Sequence, residues 1–154
     1  MANQDIETHY YCERLIHQFL ELLQADQTAT ADLFTEDAQA FGLSGREAIR
    51  AHFAAIEKAD NNVNVVLCSN LLVETTGDDH ATATHYVTHY VSDPITGLTD
   101  PMGSQVQGEA GTPRSITKWS WAFERVNGAW LISQLAYPDS VLLRKDVLDD
   151  LRAT

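Results

Sequence analysis

Positive charge is what this chain has least of. Ten Lys and Arg stand against 22 Asp and Glu in 154 residues, a net charge of −12. A surface that reads phosphates needs clustered Lys and Arg; Arg114 and Lys118 are the nearest approach to a pair mid-chain. Nucleic acid is therefore excluded as a partner, and anionic membranes are disfavoured. Cysteine is almost as scarce. Cys12 and Cys68 are too few for a disulfide scaffold and lack metal-ligand spacing. No apolar run approaches the ~20 residues that span a bilayer. The opening MANQDIETHYY has no basic n-region and no apolar h-region, so it is not read as a signal peptide. What remains is 44% hydrophobic and 21% charged, near globular averages. The expectation is one domain over residues 1–154, working in the cytoplasm.

The chain begins in helical period. From Asp5 to Gln24, Tyr11, Cys12, Leu15, Ile16, Phe19, Leu20, Leu22 and Leu23 fall on one broad face. A face that wide belongs to a helix clasped by other structure. A shorter helix is expected from Thr28 to Phe34, with Thr28 or Thr30 as its cap. Ser44-Gly45-Arg46-Glu47 has the form of a capping box, and Ile49, Phe53 and Ile56 continue at helical spacing up to Ala59-Asp60-Asn61-Asn62. The period then changes to two. Strands are read at Val63–Glu74 and Ala81–Val91 around Thr76-Gly77-Asp78-Asp79, and at Ser115–Val126 and Ala129–Tyr137 around Asn127-Gly128. Residues 93–114 carry three prolines and four glycines, a loop long enough to be a lid, an interface arm or a mobile segment. Ser140–Leu151 repeats Val141, Val147, Leu148 and Leu151 at helical spacing and is read as a last helix. Asp139 is read as its cap. The class is α+β: three N-terminal helices, then a β-meander forming a cone-shaped curved antiparallel sheet around the long first helix.

Three strings carry a resemblance. Phe19-Leu20-Glu21-Leu22-Leu23-Gln24-Ala25-Asp26, Asp32-Leu33-Phe34-Thr35-Glu36-Asp37-Ala38 and Gly45-Arg46-Glu47-Ala48-Ile49-Arg50 resemble the opening of a SnoaL-like domain, within the nuclear-transport-factor-2-like superfamily. The stretch Trp121–Ile132 is similar to its closing hairpin. The resemblance implies the cone fold, a hydrophobic small-molecule ligand and a homodimer formed through the convex sheet face. Its members range from ketosteroid isomerase, scytalone dehydratase and polyketide cyclases to subunits and binders that catalyse nothing. This chain departs from the enzymes at their carboxylates. Gly42 stands where ketosteroid isomerase has its Asp, and Leu22-Leu23 where scytalone dehydratase has Tyr-Asp.

Two further matches to scytalone dehydratase remain. The strand alignment puts His85 and His89 on the face of a pocket histidine, with His89 two residues from the matching position. The hairpin alignment puts Thr117 at a pocket serine, with Trp119 and Trp121 facing the same way. Cys68 and Asn70 are then expected inward from the preceding strand, and Tyr11 offers a hydroxyl from the first helix. On a strand, His85 and His89 stand about 13 Å apart at ~3.3 Å per residue, too far for one metal ion. Two readings stand for His89: a histidine bonded within the sheet or an interface, or a general acid/base, which the pKa of imidazole suits. The functional expectation is a cofactor-independent lyase or isomerase, of dehydratase or cyclase type, acting on a hydrophobic carbonyl compound. His89 or His85 moves the proton, and Tyr11, Cys68, Asn70, Thr117, Trp119 and Trp121 form the pocket. The alternative is a non-catalytic ligand-binding or assembly module, such as a small subunit of a larger enzyme.

Overall fold

A computed structural model describes residues 2–59 and 62–154. The helix end expected at Asp60 and Asn61 lies outside these described residues. The order of elements is α1 (Ala2–Ala25), a 3-10 segment (Gln27–Leu33), β1 (Phe34–Ala40), β2 (Leu43–Ser44), α2 (Arg46–Ala59), β3 (Val63–Gly77), β4 (His80–Ser92), β5 (Ser115–Val126), β6 (Ala129–Leu143) and α3 (Lys145–Ala153). Among the described residues no helix is long and apolar enough to cross a membrane.

The buried stripe of α1 is narrower than its apolar face: Thr8, Cys12, Ile16, Phe19 and Leu20 are buried, whereas Tyr11 is exposed at the shoulder. Asp26, and neither of the expected threonines, caps the 3-10 segment by accepting from the Ala29 amide at 3.2 Å. Thr30 is instead buried, its hydroxyl donating to the Gln27 carbonyl. At the head of α2 the Ser44 hydroxyl accepts from the Gln39 side chain at 2.7 Å. Gly45 makes the turn into the helix. It holds φ +94, donates to the Ala38 carbonyl and accepts from the Ile49 amide. A Cβ there would meet only the Glu36 carbonyl at an ordinary 3.6 Å, so the penalty for a side chain is backbone strain. Gly45→Ala is therefore expected to lose about 1–2 kcal/mol in urea unfolding. An unchanged midpoint would mean that the turn relaxes freely.

The six strands form one sheet in the order β2-β1-β6-β5-β4-β3. The meander β3–β6 is antiparallel, but β1 lies parallel to β6, so the sheet is mixed rather than antiparallel throughout. Asn127 and Gly128, both at positive φ, close the β5–β6 hairpin as their sequence demands. The last strand overruns the expected helix start. Residues 140–143 pair with Ser115–Thr117, Asp139 lies within β6, and α3 begins only after Arg144.

One face of the sheet curves around α1. Ala81, Ala83, His85 and Val87 of β4 alternate inward, as do Trp119, Trp121 and Phe123 of β5. Phe19 of α1 fills the centre, edge-on to Phe34, Phe53, Trp119 and Trp121 at 5.2–6.2 Å. A bulge interrupts β3: Ser69 pairs with Tyr86 and Leu72 with Thr84, so Asn70 and Leu71 together oppose His85. The parity of β3 reverses there. The loop 93–114 is ordered by its own small hairpin, with Ile95 and Val106 amides bonded to Gln107 and Leu98 carbonyls and Asp100 accepting from Met102 and Ser104. It returns along the outer face, where the Glu109 amide donates to Ser92 Oγ.

Candidate functional site

Between the end of α1, the β1–β2 turn, α2 and the inner face of the meander lies a cavity of about 450 Å³. His89 and Thr117 both line it. They meet there because Val87 pairs with Thr117 and His89 with Ser115, which puts both side chains on the concave face one step apart. Its walls are aromatic, formed by Phe41, Phe53, Trp119 and Tyr137, with Tyr137 packed on Trp119 at 4.6 Å. Among the described residues no Asp, Glu, Lys or Arg lines it.

The imidazole of His89 has a fixed orientation. Its Nε2 lies 2.8 Å from Asn64 Oδ1, while the Asn64 amide nitrogen donates to the Asn62 carbonyl at 3.3 Å.

Trp119 is the third expected residue that the cavity gathers. The others form a separate layer or lie apart. His85 is 1% exposed, with Nδ1 3.0 Å from Cys68 Sγ and its ring stacked on Trp121 at 5.8 Å. Burial lowers the His85 pKa to about 4, an effect that nearby His17 strengthens and a backbone bond at Tyr86 opposes. Burial, and then the Glu13 charge, pushes the Cys68 thiol up. Both members of the pair are consequently neutral at pH 7, which removes thiolate chemistry. Asn70 is exposed on the bulge at φ +52 and does not line the cavity. The bulge that turns it away is invisible to strand parity. Tyr11 lines a different groove with Arg14, Arg125 and Trp130, on the shoulder of α1.

The depressed His85 value carries a stability consequence. Above pH 6.5 the group is neutral both folded and unfolded and contributes nothing. Between 6.5 and about 4 only the unfolded chain takes the proton, so stability falls as pH falls through that window. Roughly 3 kcal/mol is at stake for so buried a group. Urea unfolding at pH 7.5 and 4.5 should show the loss in the wild type and a much smaller one in His85→Phe. Equal losses in both would contradict it.

Sequence reasoning missed Asn64, Phe41, His52 and Tyr137, all of which line the cavity. Asn64 depends on the β3–β4 register, Phe41 on a turn between two short strands, and His52 had the spacing of a helix-edge residue.

The fold and cavity agree with what the chain resembles. Residues 4–136 match the model of the SnoaL-like domain, and the chain belongs to that family. No curated protein matches it. Solved structures share the fold at low identity. Aln2 from a Streptomyces species is 20% identical, with 96% of each chain covered and a TM-score of 0.63. A candidate scytalone dehydratase from Novosphingobium aromaticivorans is 16% identical, with 94% of each chain covered and a TM-score of 0.65. The hexachlorocyclohexane dehydrochlorinase LinA type 2 is 14% identical, over 94% of this chain and 95% of that one, at a TM-score of 0.68.

Proposed function

We propose that the chain is a cofactor-independent lyase or isomerase, of dehydratase or cyclase type, working on a neutral ring-bearing carbonyl compound. The observation that carries this is the meeting of His89 and Thr117 in one aromatic-walled cavity without charged carboxylate or cationic side chains among the described residues. Such a lining disfavours ionic ligands, which would lose hydration without gaining a counter-charge. It suits a flat apolar molecule with one or two hydrogen-bonding groups, in a volume typical of small-molecule sites. His89, held by Asn64, takes the proton adjacent to the carbonyl. The Thr117 hydroxyl, with Ser115 and Tyr137 nearby, donates to the oxygen on which negative charge develops. Related folds include a dehydrochlorinase, also an elimination catalyst, and that supports the reaction class.

The test uses a generic proton-abstraction substrate. 5-Nitrobenzisoxazole is neutral and aromatic, and opens when a base removes its ring C–H. The wild-type chain should open it faster than the same concentration of free imidazole at the same pH; a rate no greater than imidazole's contradicts the reading. The lack of a carboxylate in the cavity lining among the described residues favours one alternative, a binder that holds such ligands without turning them over. That alternative predicts binding without acceleration.

The same chain is proposed to act as a homodimer through the outer sheet face. Outward positions Val65, Leu67, Thr84, Tyr86, Thr88, Ile116 and Ser120 surround Lys118, with Glu124 further along the same face of β5, in a protein of net charge −12. Four strands at ~4.8 Å spacing and about 12 residues at ~3.3 Å present on the order of 600–750 Å². A stable interface takes about 800 Å² per partner. The 93–114 segment borders this face, lining a groove of about 630 Å³ with Val63, Val65, Tyr90 and Arg144, which fits an interface arm better than a lid over His89. Cys12 and Cys68 are free thiols, in keeping with a reducing, cytoplasmic setting.

A further inference from the structure

We infer that His52 is a second proton-transfer group of the His89 cavity, and that Phe41 is the residue that positions it. The inference rests on the proton-transfer reading given above and adds its missing acid. His52 stands on α2 and lines the same cavity as His89 of β4. Its imidazole is stacked on the Phe41 ring, centroids 5.3 Å apart and planes 18° from parallel, with the edge of Phe53 at 5.7 Å.

Phe41 is held there at a cost. It has φ +57 in the two-residue turn between β1 and β2. The other non-glycine residues at positive φ among the described residues, Asn70 and Asn127, are of the type that tolerates it. A bulky aromatic in the left-handed region gives up about 1–2 kcal/mol, and Asn or Gly would close this hairpin without that strain. Strain kept at a cavity wall points to a role there. The conformation aims the Phe41 ring at three neighbours: His52, Phe53 at 5.1 Å and Tyr137 at 5.3 Å. It builds the wall against which the His52 ring lies flat.

An elimination needs two proton transfers, and the lining offers two imidazoles for them. Neutral His89 removes the hydrogen next to the carbonyl, and the electrons of that C–H bond form the new C=C. The C–O bond at the neighbouring carbon breaks, and the oxygen leaves as water after taking a proton from the His52 imidazolium. His89 ends protonated and His52 neutral, and exchange with solvent restores both.

Two probes separate base from acid. In 5-nitrobenzisoxazole and in unsubstituted benzisoxazole the base takes the ring C–H, the N–O bond breaks and a nitrile forms. The nitro group stabilises the departing phenolate, whereas the unsubstituted phenolate is far more basic and needs a proton donor. His52→Phe, which keeps an aromatic ring against Phe41, should slow the unsubstituted probe at least ~10-fold more than the nitro probe, within the usual range of acid assistance. His52→Gln should show the same selective loss if the Phe variant folds poorly. Phe41→Gly should reproduce the altered ratio of the two rates with a melting temperature no lower than the wild type, and Phe41→Tyr should restore the ratio. A wild-type ratio in both His52 variants overturns the inference and leaves His89 standing. Failure of the wild-type chain to accelerate either probe overturns the underlying reading, and this inference with it.

Discussion

His89→Ala should lower kcat/KM for 5-nitrobenzisoxazole by about 10²–10⁴-fold, the usual worth of a positioned general base. Binding of a neutral ring compound such as 2-naphthol should survive within a few-fold, because the aromatic walls remain. The two measurements together discriminate. Loss of turnover with retained binding is what a proton-transfer group produces. Loss of both would make His89 a structural member of the β3–β4 pair, held in place with Asn64. The size of the effect follows from the lining: with no carboxylate or amine facing the cavity among the described residues, few side chains can take over as base. Burial pushes the Tyr137 phenol far above its ordinary value, which removes it as a base, and His52 is assigned the opposite task.

Phe19→Ala should cost about 3–5 kcal/mol, the range for removing a fully buried aromatic ring. Phe19 has no exposed surface and meets Phe34, Phe53, Trp119 and Trp121 edge-on, joining helix, short strand and meander in one cluster. The cavity left behind cannot easily close, because its neighbours are rigid rings held by three different elements. Trp119 also lines the site, so this variant should weaken 2-naphthol binding as well as lower the urea midpoint. A loss below ~1 kcal/mol would mean that the cone repacks, and that its aromatic centre is not what shapes the cavity.

Much of this architecture is legible in the residues, for identifiable reasons. The strand Ser115–Val126 alternates Trp119, Trp121 and Phe123 with less buried neighbours and ends in Asn-Gly, so period and turn chemistry agree and its limits come out as observed. The strand Phe34–Ala40 escapes notice. Its buried residues include only Thr35, Ala38 and Ala40 after the first phenylalanine, and its partner in β6 lies roughly a hundred residues away. Its short companion Leu43–Ser44 is hidden by the helix signal of Ser44–Glu47.

The site divides along the same lines. His89 and Thr117 share a face because β4 and β5 pair without irregularity between them, so parity carries from one strand to the next. Asn70 fails because a single bulge turns it outward, and Tyr11 fails because hydrophobicity alone does not separate the centre of a helix face from its shoulder. The partner of His89 is hidden for a third reason. Asn64 reaches it only through the β3–β4 register, which pairs Val66 with His89 and leaves Asn64 two residues along the same face.

The central claim is that a neutral ring ligand occupies the cavity between α1, α2 and the concave sheet, against His89. Chemical-shift mapping with 2-naphthol on isotope-labelled protein tests it directly. The account predicts that the shifts concentrate on the His89 imidazole, Thr117 and the Trp119 indole, and saturate together. Shifts confined to the outer groove at Val65, Tyr90 and Arg144, with His89 and Thr117 unmoved, would contradict it and place the ligand on the outer sheet face instead.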